Sequence, residues 1–570
     1  MRGTRFVGMA AMCAVIAGCA SKAPEKLAEA PLPPPGVVAP PPPPPPPPAP
    51  NVARDAQTVV VTGSRVTGSA PKRLRTGAVA QESVNAVTVV GTQYFAPPVM
   101  VATDPGNERY DGKEVSPVKL TQAEPVSTFA VDVDTGAYAN ARRFLTKGMM
   151  PPQDAVRTEE MINYFRYDYA RPKDRSQPFT VTTDVAKTPW NAGTYLMRIG
   201  LRGYDIDTAE RPAANLVFLM DVSGSMSDPD KLPLVKTALA GLAGELSPKD
   251  KVSFVVYAGA AGMVLEPTND TAKIKRALEG LNAGGSTAGG AGIELAYRIA
   301  EDNFIKGGVN RVILATDGDF NVGVSDTGAL IELIEKKRDS GITLTTLGFG
   351  QGNYNEAMME QIANKGNGNY AYIDTALEAK KVLGEEMQST LFTIAKDVKI
   401  QVEFNPAVIA QYRLVGYENR ALREEDFDND RVDAGDIGAG HQVTAIYEVV
   451  PVGGKGWIAP RRYEDKPDAA AAARLAEAAN VKLRYKLPDG DTSKLIEQAV
   501  PSSALKAATA PQGDFAFAAA VAAYGQLLRG DEMMMGFGFG EISRLAGTQD
   551  NFWRQEFLRL NELAASMKGG

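Results

Sequence analysis

The sequence predicts an α/β protein with a doubly wound, mostly parallel central sheet that is inserted in, or flanked by, a β-sandwich. Two observations predict this architecture. Apolar strands alternate regularly with helices in the middle of the chain, and strands of an antiparallel type precede and follow them. A proline-dominated N-terminal stretch predicts a disordered tether, and apolar periodicity near the C-terminus predicts helices.

The alternation in the middle of the chain begins with Leu216–Asp221, a continuous apolar run of the kind that buried parallel strands have. Strands linked through helices form a mostly parallel sheet with helices on both faces. The further predicted strands are Lys251–Tyr257, Met263–Glu266, Arg311–Thr316, Ile342–Phe349 and Asn369–Ile373. The predicted helices are Leu232–Leu246, Ala272–Leu281, Gly289–Phe304, Gly328–Arg338 and Asn355–Asn364.

Strand patterns on both sides of this segment predict the sandwich. Phe179–Ala186 and Thr194–Arg202 are typical of an antiparallel pair and precede the first central strand. Because similar strands return after the central segment, the simplest arrangement is one sandwich with the central domain inserted between its strands. The later strands are predicted at Val398–Phe404, Tyr412–Tyr417, Gln442–Val450 and Val481–Lys486.

Order is predicted to begin near Glu124. The stretch Pro125–Gly136 alternates apolar and polar residues and predicts a strand that ends in a turn. Two carboxylates on its polar positions, Asp132 and Asp134, are interpreted as solvated groups and are left out of any site. Helices are predicted at Tyr138–Lys147, Asp154–Phe165, Ala469–Ala479, Asp514–Leu528 and Phe552–Ala565.

The composition limits the classes of function. The chain has 570 residues, of which 44% are hydrophobic, and this is enough for more than one core. The formal net charge is −7 and no basic block stands out, which argues against nucleic acid as a partner. The two cysteines, Cys13 and Cys19, both lie in the first twenty residues, so no disulfide is expected in the mature protein.

The N-terminus has the pattern of a targeting signal. Arg2 and Arg5 precede the short apolar run Phe6–Ile16, which is too short to span a membrane comfortably. The following Ile16-Ala17-Gly18-Cys19 resembles the lipobox of bacterial lipoproteins, and the resemblance implies that Cys19 is lipidated. Ala20 follows in place of the Asp that retains such proteins in the inner membrane of enterobacteria, which favours the outer membrane. The alternative is an ordinary cleaved signal peptide with an incidental cysteine.

Residues 20–123 are predicted to form the tether. Its proline run, Pro40–Pro48, predicts stiff polyproline II, suited to hold a globular head away from a membrane. Within it, Gln57–Arg65 resembles the segment that precedes the plug of TonB-dependent receptors, although no barrel sequence follows. This segment could add to a strand edge of a partner, but a β-prone patch in a disordered linker is the simpler interpretation.

Polar residues follow the first central strand in the pattern Asp221-Val222-Ser223-Gly224-Ser225. One carboxylate and two hydroxyls just past a strand end form a set of hard oxygen ligands, which suits a hard divalent cation. Two further segments carry such groups: Thr287 lies in a glycine-rich loop before a helix, and Asp317 follows the strand Arg311–Thr316. Loops at the carboxyl ends of parallel strands meet at one edge of the sheet, so these residues are expected to converge.

The DxSxS pattern, followed in order by the threonine loop and by Thr316-Asp317-Gly318, resembles the metal-ion-dependent adhesion site of von Willebrand factor type A (vWA) domains. The resemblance covers about Asn215–Ile394 and implies a Rossmann-like fold. It also implies a metal site of Asp221, Ser223, Ser225, Thr287 and Asp317, holding Mg²⁺ first, with Mn²⁺ or Ca²⁺ possible. An open position on the cation would bind a carboxylate of a partner protein.

A wider resemblance, from about Glu124 to Gly530, is to bacterial lipoproteins in which a vWA domain precedes a C-terminal domain of uncharacterised function. It rests on EPVSTFAVDVDTGAYANARRFL and EEMINYF. The predicted boundaries are 1–19 for the signal peptide, 20–123 for the tether, 124–210 for the N-terminal flank, 211–395 for the vWA domain, 396–500 for the β-rich domain and 501–570 for the helical region.

Asp228 matches the place of a second cation in some relatives, but a plain turn is an equal interpretation.

Catalytic chemistry has little support in the sequence. His441 is the one histidine, so it is the only available base for a Ser-His-Asp triad, and histidine-rich zinc sites are excluded. The glycine-rich Gly348–Asn353 lacks the lysine of a phosphate-binding loop. The sequence therefore favours a binding module over an enzyme. A hydrolase that uses the same metal, and a scaffold in which the metal is only structural, remain the alternatives.

Overall fold

The computed structural model describes residues 107–568, apart from residues 132, 208–209, 286–288, 319–326, 460–475 and 535. All of these residues belong to one compact unit, residues 96–570. The predicted lipidation site Cys19, the proline run and the stretch Gln57–Arg65 lie outside the described residues. No helix within the described part of the chain is long and apolar enough to cross a membrane.

The described strands are, in chain order, β1 (Lys119–Leu120), β2 (Val126–Ala130), β3 (Phe179–Lys187), β4 (Tyr195–Gly203), β5 (Ala214–Asp221), β6 (Lys251–Tyr257), β7 (Ala261–Thr268), β8 (Val309–Thr316), β9 (Thr343–Phe349), β10 (Tyr370–Ile373), β11 (Thr393–Phe404), β12 (Ile409–Val415), β13 (Ala421–Leu422), β14 (Gly435–Gly438), β15 (Gln442–Pro451), β16 (Glu477–Lys486) and β17 (Lys494–Pro501). The described α-helices are α1 (Gly136–Thr146), α2 (Thr158–Asn163), α3 (Leu232–Leu242), α4 (Thr271–Glu279), α5 (Gly289–Asp302), α6 (Thr327–Asp339), α7 (Glu356–Lys365), α8 (Ala376–Lys380), α9 (Met387–Leu391), α10 (Ser503–Ala507), α11 (Gly513–Arg529), α12 (Phe539–Ala546) and α13 (Phe552–Lys568).

The central sheet has the strand order β10-β9-β8-β5-β6-β7. Its strands pair in parallel except for β7, which runs antiparallel to β6. All residues of β5 are buried because both faces of the sheet are covered. Phe218 and Met220 enter one hydrophobic core, and Val217 and Leu219 enter another. The continuous apolar run in the sequence is thus explained, and the predicted doubly wound sheet is confirmed.

Two antiparallel sheets form the predicted sandwich. One has the order β1-β12-β15-β4-β3, and the other has the order β13-β2-β11-β16-β17, with β14 paired to β11. Each sheet combines strands from before and after the central domain, so that domain is inserted as predicted. Aromatic side chains join the two sheets: Phe404 stacks on Tyr412 with ring centroids 4.2 Å apart, and Phe179 meets Tyr485 at 5.0 Å.

The folded chain begins before Glu124, so the predicted end of the tether at residue 123 is too late. Asn107 donates a backbone hydrogen bond to Gly352 (2.8 Å), and Arg109 donates one to Tyr354 (2.8 Å). The short strand β1 then pairs with β12. Sequence periodicity missed this segment because its few residues are fixed by pairing with distant parts of the chain.

Two further predictions in the N-terminal flank are wrong. Asp134 is not solvated: it is buried, accepts a hydrogen bond from the backbone nitrogen of Tyr370 (2.8 Å) and forms an ion pair with Arg420 (2.8 Å). The helix predicted over Asp154–Phe165 is interrupted, because a short 3-10 turn is followed by extended backbone at Arg157 before α2 begins. Asp132 lies outside the described residues.

The C-terminal helices pack against the N-terminal flank and the sandwich. Helix α11 is buried almost throughout, as predicted, and its Phe517 packs edge-to-face on Phe165 and on Phe557 of α13. Arg413 of the sandwich pairs with Glu448 of the neighbouring strand (2.9 Å) and with Asp531, which follows α11 (2.8 Å). The predicted helix Ala469–Ala479 is wrong at its end, where β16 begins at Glu477, and the rest of it lies outside the described residues.

Candidate metal centre

Asp221, the first residue of the predicted site, ends β5 and is fully buried. Its Oδ1 accepts a hydrogen bond from the backbone nitrogen of Ser223 (2.8 Å). Its Oδ2 accepts hydrogen bonds from the hydroxyls of Tyr257 (3.1 Å) and Thr316 (3.2 Å). Both carboxylate oxygens are therefore held in place by the protein itself.

Sequence reasoning missed Tyr257 and Thr316, although their positions in the sheet could have indicated them. Strand β6 is parallel to β5, and Tyr257 is the residue in register with Asp221. Thr316 is the last residue of β8, the other neighbour of β5. Residues that end adjacent parallel strands lie at the same edge of the sheet, so both face the position that Asp221 occupies.

Ser223 and Ser225 bring their hydroxyls together at the start of the loop after β5. The two Oγ atoms are 3.0 Å apart. Ser223 is buried, whereas Gly224 and Ser225 are exposed, so one side of this pair faces solvent. Ser225 thus presents its hydroxyl at the surface, next to the buried hydroxyl of Ser223, whose backbone nitrogen donates to Asp221.

The threonine loop reaches the same place. Gly284 donates a backbone hydrogen bond to Val222 (2.8 Å), and Gly224 donates one to Gly285 (3.1 Å). These two bonds join the loop before α5 to the loop after β5. Thr287 itself lies outside the described residues, so its role stays a prediction.

Asp317 follows β8 and is fully buried, as Asp221 is. Its Oδ2 accepts a hydrogen bond from the ammonium group of Lys231 at 2.9 Å. The same ammonium group donates to Asn353 Oδ1 at 3.3 Å. Lys231 precedes α3 and is only 4% exposed. No sequence pattern pointed to Lys231, because a lysine just before a helix is usually solvated.

Burial is the main electrostatic influence on Asp221. Removal from water raises the pKa of its carboxyl, and the negative charge of Asp317 raises it further. The hydrogen bonds from Ser223 and Tyr257 act in the opposite direction. Burial also raises the pKa of Tyr257 well above its usual value, so its hydroxyl keeps the proton that it donates to Asp221.

The donor set fits a hard cation. Asp221, Ser223, Ser225 and Asp317 offer carboxylate and hydroxyl oxygens, the ligand types that Mg²⁺, Mn²⁺ and Ca²⁺ prefer. Within the described part of the chain, no three His, Cys, Asp or Glu side chains cluster in a way that could hold a metal. A cation at this edge would therefore rely on hydroxyls together with the two aspartates.

Two other residues considered from the sequence stay apart from this chemistry. Asp228 is exposed in the turn before Lys231. His441 is half-buried, and its Nδ1 accepts a hydrogen bond from the backbone nitrogen of Gly438 (3.2 Å). Burial lowers the pKa of His441 to about 3, so the imidazole is neutral. Its hydrogen bond from Gly438 lies within the sandwich.

Comparison with known proteins identifies the families that the chain matches. Family models match residues 215–386 as a von Willebrand factor type A domain, residues 104–198 as von Willebrand factor, and residues 389–567 as the C-terminal part of the uncharacterized protein YfbK. YfbK of Escherichia coli is 46% identical over 473 residues, which cover 81% of this chain and 82% of YfbK. The uncharacterized protein sll0103 of Synechocystis is 33% identical over 189 residues, 32% of this chain and 43% of that protein.

Among solved structures, a proximal thread matrix protein from the mussel byssus, with a zinc-occupied MIDAS motif, is 22% identical. It covers 33% of this chain and 46% of its own, with a TM-score of 0.27, too low to compare side-chain positions. The fold and the residues at the end of β5 define the central domain as a vWA domain. The chain as a whole belongs to the family of Escherichia coli YfbK, which joins this domain to a C-terminal domain of its own.

Proposed function

We propose that the chain is a Mg²⁺-dependent protein-binding module of a bacterial cell-envelope lipoprotein, with no enzymatic activity. The observation that carries the metal is the placing of two serine hydroxyls, hydrogen-bonded at 3.0 Å, in the loop that follows the buried carboxylate of Asp221. Adjacent ligands of an octahedral ion with Mg–O bonds of 2.0–2.1 Å are about 2.9 Å apart.

Ser223 and Ser225 would be direct ligands, with Asp221 and Asp317 supplying negative charge and Thr287 as a further candidate. When bound, the cation would supply positive charge and an open position for a carboxylate of the partner. Tyr257 and Thr316 hold the carboxylate of Asp221 in one orientation through their hydrogen bonds. The exposed side of Ser225 leaves room for the acidic side chain of a partner.

The envelope location rests on the lipobox-like Cys19 and on the tether that follows it. Lipid at Cys19 would anchor the protein to the outer membrane. The tether would let the vWA domain reach a protein partner. Nucleic acid is not proposed as a partner, because the chain is acidic overall.

The test compares full-length wild type with Ser225→Ala and with Ser227→Ala, an exposed serine two residues further on. Titration calorimetry with Mg²⁺ should show binding to wild type and Ser227→Ala, and much weaker binding to Ser225→Ala. The immobilised wild-type protein should then retain envelope proteins with Mg²⁺ and lose them with EDTA. Immobilised Ser225→Ala should not retain them. Equal Mg²⁺ binding by all three proteins would refute the site. Equal retention with Mg²⁺ and with EDTA would leave the cation a purely structural role.

A further inference from the structure

The side chain of Lys231 is placed at the metal site by a slot built for it. Its ammonium group donates to Asp317 and Asn353, and its stem passes over Gly350, at the turn after β9. A Cβ atom at position 350 would lie 2.4 Å from Lys231 Cε, so only glycine leaves room for the stem. Gly350 also has a φ of +72°, which glycine adopts without strain.

The wall of this slot is held from several sides. The hydroxyl of Tyr372 donates to the backbone oxygen of Gly350. Gly352, two residues on, accepts a backbone hydrogen bond from Asn107 (2.8 Å) and donates one to the carboxylate of Glu108 (2.8 Å). Burying a lysine side chain costs conformational entropy, and lysines are seldom buried. The hydrogen bonds that fix Gly350 and Gly352 therefore hold the slot in which Lys231 lies.

The charges of the buried side chains at this site indicate that Lys231 opposes the binding of a cation. Counted formally for these three side chains alone, Asp221 and Asp317 contribute two negative charges and Lys231 one positive charge, a sum of −1. A divalent cation that uses Asp317 would lie only a few ångströms from the ammonium group. Like charges at that separation repel strongly where the surroundings exclude water.

We propose that Lys231 is a built-in competitor of the divalent cation for Asp317, so that the site holds its cation weakly until an acidic partner binds. The inference rests on the proposed function and names its regulation. The carboxylate of a partner adds a negative charge next to the cation. This charge compensates for the negative charge of Asp317 that Lys231 neutralises. Cation and partner then strengthen each other's binding reciprocally.

The experiment measures Mn²⁺ affinity of the full-length protein, by calorimetry and by the loss of the free-ion electron paramagnetic resonance signal. Lys231→Gln keeps a hydrogen-bond donor for Asp317 but removes the charge. It should bind Mn²⁺ at least about tenfold more tightly than wild type, given the strength of such charge interactions at short range. Lys231→Arg keeps the charge and should not gain affinity. Lys275→Gln removes one positive charge from the exposed face of α4 and should match wild type.

A second pair of variants keeps the inference testable if Lys231→Gln does not fold. Gly350→Ala pushes the lysine stem out of its slot, whereas Gly352→Ala has a φ of +93° and no neighbour within 4 Å of the added Cβ. Both variants share the backbone strain, but only Gly350→Ala displaces Lys231. Tighter Mn²⁺ binding by Gly350→Ala than by Gly352→Ala supports the competition.

The outcomes separate this inference from the proposed function. If wild type binds Mn²⁺ and Lys231→Gln binds it equally or more weakly, the competition is refuted and the metal site stands. If Lys231→Gln binds Mn²⁺ and wild type does not, the competition is supported, and the proposed function is then decided by whether wild type retains envelope proteins with Mg²⁺ and loses them with EDTA. If neither protein binds Mn²⁺, both ideas are refuted.

Discussion

Glu108 and Arg143 form a buried bidentate ion pair, with 2.8 and 2.9 Å between their oxygens and nitrogens. Glu108 comes only one residue after the first described residue of the chain, and Arg143 lies on α1. The carboxylate of Glu108 also accepts a hydrogen bond from the backbone nitrogen of Gly352, in the loop after β9. The first described residues are therefore tied both to the N-terminal flank and to the vWA domain.

Removing the negative charge of Glu108 should lower the free energy of unfolding. Glu108→Gln leaves the buried guanidinium of Arg143 without its counter-charge, and such a loss costs about 3 kcal/mol of unfolding free energy. Glu114→Gln, an exposed carboxylate six residues further along the chain, should change stability by less than about 0.5 kcal/mol. Urea denaturation followed by circular dichroism measures both. Equal stability of the two variants would contradict the structural role of Glu108.

Arg142, the neighbour of Arg143, joins three parts of the chain. It lies on α1 and pairs with Asp374 and Glu378 of the vWA domain (2.6 Å each) and with Glu556 of α13 (2.8 Å). Arg142→Met should cost about 3–5 kcal/mol, because buried carboxylates are left unpaired. Arg544→Met breaks an exposed pair with Glu541 and should cost less than about 1 kcal/mol. A smaller loss for Arg142→Met than for Arg544→Met, in thermal or urea unfolding, would contradict this.

The hydroxyl of Tyr257 should stabilise the site through Asp221. Tyr257→Phe removes a buried hydrogen bond to a carboxylate, worth about 1.5–3 kcal/mol of unfolding free energy. Tyr297 is a matched control in the same core: it is also fully buried, and no described residue accepts its hydroxyl. Tyr297→Phe should be neutral or stabilising in the same urea titration. A loss of the same size in both variants would mean that the Asp221 contact has no special value.

Glu356 should make stability depend on pH. Burial raises its pKa to about 8; Arg157, at 3.6 Å, opposes this rise and Glu360 adds to it. Because the folded protein holds this proton more tightly than the unfolded chain does, the contribution of Glu356 to stability is complete below pH of about 4.5. It is lost as pH rises toward 8.

The pH dependence is measured by urea denaturation of wild type and Glu356→Gln between pH 5 and pH 8. The variant cannot ionise at this position, so its stability relative to wild type should increase as pH rises. Glu332→Gln, an exposed glutamate on α6, should follow the wild-type pH profile. A constant difference between Glu356→Gln and wild type across this range would show that the Glu356 carboxyl does not titrate there.

The predicted lipid anchor has a control within the chain. If Cys19 is the lipidation site, Cys19→Ser should not incorporate an azide-labelled fatty acid in growing cells. Cys13→Ser, in the apolar run of the predicted signal, should still incorporate it. Labelling of Cys19→Ser at the wild-type level would exclude this cysteine as the anchor.

Much of this architecture was predictable from local patterns. The apolar run at Leu216–Asp221 indicates a strand buried on both faces, because a chain position in such a strand meets core on either side. Asp221 and Asp317 could be expected at one edge because parallel strands end at the same edge of their sheet, whereas the set of metal ligands rested on the resemblance to vWA domains. In the structure Ser223 and Ser225 lie beside Asp221, and Asp317 follows the adjacent strand β8; that they bind a metal stays a prediction.

Other features depend on contacts between residues far apart in the sequence, which no local pattern records. Asp134 looks like a solvated carboxylate on an alternating strand, and it is buried because Arg420, 286 residues away, pairs with it. Lys231 looks like a solvated lysine before a helix. Its position beside Asp317 depends on Gly350 leaving room for its stem.

The sequence by itself determined most strands and helices in their order along the chain, the inserted central sheet and the hydroxyl and carboxylate groups of the loop after β5. Each of these follows from side-chain periodicity and from residue types within a few positions. Only the tertiary structure decided where the folded chain begins, which buried charges pair, and that a lysine shares Asp317. Burial and ion pairing depend on distances in space, and folding sets these distances between segments that the sequence keeps apart.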